Sequence, residues 1–303
     1  MAVQGSPAVA RHRLRLALRK AREVRELTQG EVAASLDWSL SKLQRIEGGE
    51  NSVSPTDTRA LLQILGVTDA AVVDQLVNEA RQARKRSTWD DPRYRDFLTG
   101  PTKALFQFES EARVMRVFHT ILVPGVLQTR DLAEHILGFW REELGPSELE
   151  LRLETRLTRR QHVFERPESP DYRLLLDESV LHRLVGGPRI YADQLEQLLG
   201  DAHADRIQLR IAPFEVTAQF IVGLPFTVLS LDESDGGSLL YRESYLVDEL
   251  IHDTEKVSRH IEIFDQLWTR SYSGQETERL IGDQVDHLRK RLRREKRSES
   301  LDR

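Results

Sequence analysis

Thr28-Gln29-Gly30-Glu31-Val32-Ala33-Ala34-Ser35-Leu36-Asp37-Trp38-Ser39-Leu40-Ser41-Lys42-Leu43-Gln44-Arg45-Ile46-Glu47-Gly48-Gly49 contains two short helix starts, at Thr28 and Ser39, separated by a tight break. Each start carries a hydroxyl that can accept from the orphan amides of a first helical turn. Glu31, three residues after Thr28, completes a capping box. Val32, Ala33, Leu36, Leu43 and Ile46 are spaced to bury one apolar seam shared by both helices. Leu40, Ser41, Gln44 and Arg45 are left facing outward, and Gly48-Gly49 supplies a left-handed stop. A short helix, a turn and a second helix with an exposed, donor-rich face is the arrangement that lays a helix in a DNA major groove.

Outward from this pair the chain reads as helical in both directions. Residues 1–10 are small and unpatterned, so fraying is expected there. From Arg13 to Leu27, the residues Leu14, Leu18, Ala21 and Val24 follow a helical period, which assigns the arginines of this helix to its outer face. After the polar loop from Glu50 to Val53, Ser54-Pro55-Thr56-Asp57 opens a fourth helix with proline at its first position. Leu61, Leu62, Ile64 and Leu65 form its buried face and Gly66 ends it. A fifth helix is expected from a Thr68 cap to about Arg86, closing in basic residues that suit a helix C-terminus. These five helices make an all-α head over residues 1–86.

The charge distribution supports that division. The net charge of −5 argues against nucleic acid, but residues 1–86 carry 14 Lys and Arg against 10 Asp and Glu, and the rest carries 30 against 39. A basic head on an acidic body fits a DNA-contacting module joined to something else. A length of 303 residues fits two domains, and 39% hydrophobic residues suffice for real cores. Without cysteine there are no disulfides or thiolate metal sites, in agreement with a cytoplasmic location. No apolar run approaches the roughly 18 residues of a membrane span, and Arg11-His12-Arg13 interrupts any signal-peptide core.

Residues 12–66 resemble the Xre/Cro/lambda-repressor type of helix-turn-helix domain. The resemblance is carried by Leu27-Thr28-Gln29, Val32-Ala33, Leu36, Ser39, Ser41-Lys42-Leu43 and Arg45-Ile46-Glu47. It implies that Glu47 pairs with an arginine of the first helix, at the position of Arg22. Because the start of the second helix of the pair points into the groove, Leu40, Ser41, Gln44 and Arg45 are the expected base-reading residues. Arginine can pair with guanine, glutamine with adenine, and an apolar side chain with the thymine methyl. Relatives often carry Gln where this chain has Leu40, so their specificity does not transfer. Gln29, Ser39, Lys42 and Asn51 are the expected phosphate contacts.

Composition shifts at Ser87-Thr88-Trp89-Asp90-Asp91-Pro92, where the head is expected to end. Beyond it, residues 109–115 read as helical. Residues 117–123 read as a strand closed by Pro124-Gly125, and Thr129 caps a helix through Leu132, Ile136 and Leu137. Residues 147–164 form a charged amphipathic helix. Further strands are expected at 172–177, 206–212, 226–231 and 239–244, with helices near 189–199 and 254–269. That order gives an α+β or α/β domain over residues 87–272 with strand pairing left open. Residues from about 105 to 285 resemble the C-terminal domain of unknown function that follows such a head in many actinomycete regulators. The matching stretches are Val123-Pro124-Gly125-Val126-Leu127-Gln128-Thr129, Asp177-Glu178-Ser179 with Gly186-Gly187-Pro188, and Leu224-Pro225-Phe226. Residues 273–303 form a last helix with a basic tail, its apolar stripe suited to docking on the body or to a short dimer seam.

Catalytic signals are lacking. The nine histidines include no H-E-x-x-H pattern, and no phosphate loop or nucleophile elbow occurs. Asp177 and Glu178, adjacent in a strand, point to opposite faces and read as caps. Trp89, Trp140, Trp268, Phe214 and Phe226 read as core. The expectation is a cytoplasmic, non-enzymatic, sequence-specific regulator that needs no cofactor. It would bind double-stranded DNA as a homodimer under control of a small-molecule effector or small protein partner. The alternative is an adaptor that recruits a small protein and uses DNA contact for placement.

Overall fold

The computed structural model describes residues 6–94, 97–218, 225–232, 237–243 and 248–301. They divide into two compact units. The first comprises residues 1–112 with 230–239 and 250–254, and the second comprises 113–229, 240–249 and 255–303.

Helices α1 (Pro7–Val24), α2 (Gln29–Ser35), α3 (Leu40–Glu47), α4 (Pro55–Ile64) and α5 (Ala70–Gln82) open the first unit. They close on one core that includes Leu14, Leu18, Val32, Ala33, Leu43, Ile46, Val53, Leu61, Leu62, Leu76 and Ala80. Helix α1 starts earlier than its apolar period suggested, so residues 6–10 are not frayed. Ser6 caps it, accepting from the Val9 amide at 3.3 Å. Val9 and Ala10 are buried, because small residues continue the buried stripe that the larger leucines announce. The arginines of α1 are not all outside either, since Arg15 is only 5% exposed. Helix α5 is capped by Asp69, not Thr68. The Asp69 carboxylate accepts from the amides of Ala71 at 2.8 Å and Val72 at 3.2 Å. Its negative charge complements the helix N-terminus better than a hydroxyl does. The helix expected at 109–115 is displaced: α6 (Gly100–Glu109), capped by Thr99, ends where it was to begin.

The second unit contains most of a six-stranded sheet in the order β3-β2-β1-β4-β5-β6. Its strands are β1 (Val114–His119), β2 (Asp171–Asp177), β3 (Gln208–Ala212), β4 (Phe226–Ser230), β5 (Leu239–Arg242) and β6 (Glu249–Ile251). Strands β1, β2 and β3 are parallel, Val114 facing Asp171 and Arg173 facing Gln208, which settles part of the pairing. Strand β1 begins three residues before the expected stretch because Val114, Met115, Arg116, Val117 and Phe118 are all buried. Parallel strands covered on both faces favour such unbroken burial over alternation. Of the sequence-based assignments, Leu224, Ser244 and residues 1–5 lie outside the described residues.

Helices α7 (Arg130–Leu137) and α8 (Pro146–Phe164) lie between β1 and β2; α9 (Ser179–His182) and α10 (Gly187–His203) lie between β2 and β3. Helix α11 (Phe214–Thr217) precedes β4, and α12 (Thr254–Thr269) and α13 (Gln275–Leu301) end the chain. The last helix docks on its own unit. Ile281, Val285 and Leu288 are buried, and Arg289 reaches Asp193 and Glu196 of α10, each at 2.6 Å. Asp177 accepts from the Ser179 amide at 2.8 Å, whereas Glu178, at the cap position of α9, makes no side-chain cap bond. Trp89 and Phe226 are core residues, whereas Trp140 and Phe214 are exposed and Trp268 stacks under the Arg210 guanidinium at 4.6 Å.

One buried charge ties α8 to α10. The Asp201 carboxylate, 3% exposed, accepts from Arg160 at 2.7 and 2.8 Å and from Arg206 at 3.1 Å. Removing a partner from such a carboxylate leaves an uncompensated buried charge, which costs about 3 kcal/mol. Arg160→Ala is therefore expected to lower the unfolding free energy of the second unit, read from urea denaturation, by about that much. Arg206→Ala, at the more exposed partner, should cost clearly less. Equal, small losses in both variants would show that the pair is not the anchor.

Candidate nucleic-acid interface

Local chemistry sets the helix pair. Thr28 Oγ1 accepts from the Glu31 amide at 3.2 Å, and the Thr28 amide donates to Glu31 Oε2 at 2.8 Å. Those bonds hold the Glu31 carboxyl below the usual carboxylate range. Ser39 Oγ accepts from the Lys42 amide at 3.2 Å and starts α3. The turn between the helices passes through Asp37 at φ 54°. Helix α3 stops at Gly48, and Gly49 turns the chain at φ 82°. A Cβ at Gly49 would meet the Arg15 side chain at 3.1 Å.

The Glu47 side chain, 5% exposed, fixes the angle of α3. It accepts from Arg22 Nε at 2.7 Å and Arg22 Nη2 at 2.9 Å, a two-pronged bond from α1. Gln29 Nε2 of α2 adds a third donor at 2.8 Å. Arg22 also donates to the Leu27 carbonyl at 2.9 Å, and Glu47 raises its pKa. Gln29, expected on phosphate, thus has its amide on the strut. Lys42 is engaged as well, 3.5 Å from Asp57 and 3.4 Å above the Trp38 ring. Leu40, Ser41, Gln44 and Arg45 are all exposed, as are Ser39 and Asn51. The Arg45 guanidinium arm leans back, Nε donating to the Ser41 carbonyl at 3.3 Å. Arg19, Arg22, Gln29, Gln44, Glu47 and Gly48 border an open cleft of about 470 Å³ on this face.

Two residues behind this face escaped sequence reasoning. Arg15 Nη1 donates to the Glu47 carbonyl at 3.2 Å, satisfying the C-terminal end of α3. Arg15 Nε donates to His12 Nδ1 at 3.2 Å, and His12 Nε2 donates to the Gly237 carbonyl at 2.7 Å. This pattern specifies one neutral imidazole tautomer. The seven-residue spacing of Arg15 and Arg22 along α1 was the available signal, because it places both on one helix face. Burial and the adjacent Arg15 push the His12 pKa down to about 4, and burial, Arg15 and His12 push that of His252, whose ring lies 5.3 Å away, to about 3. Among the described residues, no three His, Asp or Glu side chains gather as metal ligands, and no helix is long and apolar enough to cross a membrane.

Two outcomes follow from this geometry. Glu47→Ala should destabilise the first unit by about 2–3 kcal/mol, because Arg22 and Gln29 lose their acceptor. Arg45→Ala should stay within about 0.5 kcal/mol of the parent. Thermal denaturation of both variants checks this, and a large loss for Arg45→Ala would give that residue a core role. The histidines set a pH window. Unfolded, they titrate near 6.5; folded, near 4 and 3. Between those values the unfolded chain binds more protons. The stability they contribute is complete above pH 6.5 and falls as the pH drops towards 4. Urea midpoints measured from pH 7.5 to 4.5 should decline, less steeply in His12→Gln; identical slopes would exclude His12 as a cause.

Residues 13–76 match the family model described as a helix-turn-helix domain. Residues 102–283 match the model described as Domain of unknown function (DUF5753). No curated protein and no solved structure matches the chain.

Proposed function

Since the chain belongs to the DUF5753 family and carries a helix-turn-helix domain ahead of that region, we propose that it is a sequence-specific transcriptional regulator of the Xre, lambda-repressor-like kind. The observation that carries this reading is the exposed row Leu40, Ser41, Gln44 and Arg45 on a helix held from behind by Arg22, Gln29 and Glu47. Arg45 reads guanine, Gln44 reads adenine and Leu40 packs on a thymine methyl. The α2 and α3 N-termini with Ser39, Lys42 and Asn51 take phosphates. For Lys42 this requires exchanging Asp57 for the backbone.

In this reading the chain acts as a cytoplasmic homodimer on a pseudo-palindromic operator, its two recognition helices about 34 Å apart on one DNA face. The second unit controls occupancy by binding an effector or small protein, and no catalytic step is assigned. Recovery of bound fragments from sheared genomic DNA by the purified full chain tests the reading. Enrichment of two half-sites centred about ten base pairs apart supports it, and failure to enrich any sequence overturns it. On the enriched site, Arg45→Ala should weaken binding about tenfold or more and relax one base position. Unchanged affinity and specificity would remove Arg45 from the reading set.

A further inference from the structure

Polar side chains outside the DNA face gather at the carboxyl end of β1. His119 is the last residue of that strand. The order β3-β2-β1-β4 means that the chain fills one side of β1 with β2 and β3, then returns to its other side with β4. In open α/β sheets, ligands bind beyond the carboxyl ends of the strands at the point where the strand order reverses. The side chains around this end suit that use. Helix α8 directs Arg156 and Arg159 here. Arg156 Nη1 donates to Gln128 Oε1 at 2.9 Å, and Arg159 Nη1 lies 3.7 Å from where a Cβ would stand on Gly125. Gln128 is itself held, its amide donating to the Val123 carbonyl at 2.8 Å. Tyr241, which bonds to Asp248, and Glu243 just past β5 complete the group.

These side chains are only partly withdrawn from solvent: His119, Arg156 and Arg159 are half-buried, and Glu243 is exposed. Burial nevertheless disfavours the charged forms. It is the first cause that lowers His119 to about 4 and Arg156 to about 10, and that raises Glu243 and Tyr241. Arg159 contributes to lowering both His119 and Arg156, while Glu243 raises Arg156 and is itself lowered by both arginines, so one carboxylate offsets part of the repulsion between the two guanidiniums. Next to His119, Thr120 Oγ1 is buried without a hydrogen-bond partner. Two neighbouring guanidiniums facing a single exposed carboxylate, beside a neutral imidazole, leave donors suited to a compact anion.

We propose that this cluster at the end of β1 binds a small metabolite through a carboxylate or phosphate group, gripped by Arg156 and Arg159, with His119, Tyr241 and Glu243 facing its polar remainder. The proposal goes beyond the regulator reading and does not depend on it, since anion binding is measurable in a chain that ignores DNA.

Calorimetric titration of the full-length protein at constant ionic strength tests it, with inorganic phosphate in one arm and succinate in the other. One saturable site per chain is expected, and the stronger arm assigns the ligand as phosphate- or carboxylate-bearing. Arg156→Gln and Arg159→Gln should each weaken binding about tenfold or more, and Arg159→Lys should weaken it less. Phenylglyoxal labelling of the unmutated chain, mapped by mass spectrometry, reads the site independently of variant folding. Either anion should protect Arg156 and Arg159. No saturable heat in either arm overturns the proposal, and so does unchanged affinity in glutamine variants that unfold cooperatively. Protection confined to Arg45 and the arginines of α1 would place the anion on the DNA face and also overturn it.

Discussion

A single buried carboxylate sets the geometry of the candidate DNA face. Helix α3 has eight residues, too few to be stable alone in water, so its direction must come from tertiary contacts. Apolar packing of Leu43 and Ile46 supplies adhesion but tolerates rotation. Glu47 does not, because three donors from two other helices converge on its two oxygens. A carboxylate in that place without all of them would carry a desolvation cost that no neighbour offsets. Arg15 adds a grip on the carbonyl of the same residue. The row from Leu40 to Arg45 is therefore presented at an angle fixed from behind, and reading side chains can vary without moving the helix that carries them.

How much of this could be read from residues depends on how local each interaction is. The Thr28 box, the Ser39 and Ser54 caps and the Gly48-Gly49 stop use partners within a few positions, so α2, α3 and α4 were legible nearly to the residue. The start of α1 was less legible, because small Val9 and Ala10 carry its buried stripe and Ser6 caps a run with no strong period of its own. Gln29 was misread for a related reason. A polar residue at the start of an exposed helix normally faces solvent or phosphate, and only the fold brings the Glu47 carboxylate within 2.8 Å of its amide.

The second unit shows the same division on a larger scale. Strands β1 to β5 were visible as short runs rich in apolar residues and the three-residue β6 was not, and the strand order was hidden because β1 and β2 pair across a connection of some fifty residues. That connection is pinned by residues with no local signature. Gln194, buried in α10, accepts from the Thr129 amide at 2.7 Å and donates to the Leu127 carbonyl at 2.9 Å. The turn after β1 is thus held by a helix that follows it by more than fifty residues. Once β1, β2 and β3 are parallel, both faces of the sheet need helical cover, and the burial of α10, α12 and α13 follows from that need.

The strength of one head bears on the two-headed reading. Of the four exposed positions on α3, only Gln44 and Arg45 can form bidentate bonds to base edges, each worth about 1–3 kcal/mol of discrimination. Leu40 offers only an apolar surface where an amide would add another such bond. Specific DNA binding commonly stands about 4–10 kcal/mol above non-specific binding, a gap that two polar readers on one short helix fill poorly. Pairing two heads on one DNA doubles the reading set, and the rigidity of the Arg22–Glu47 strut lets both sets register at a defined spacing. A loosely hinged α3 would lose much of that gain in ordering entropy, so in the proposed two-headed reading the buried ion pair serves specificity as well as the fold.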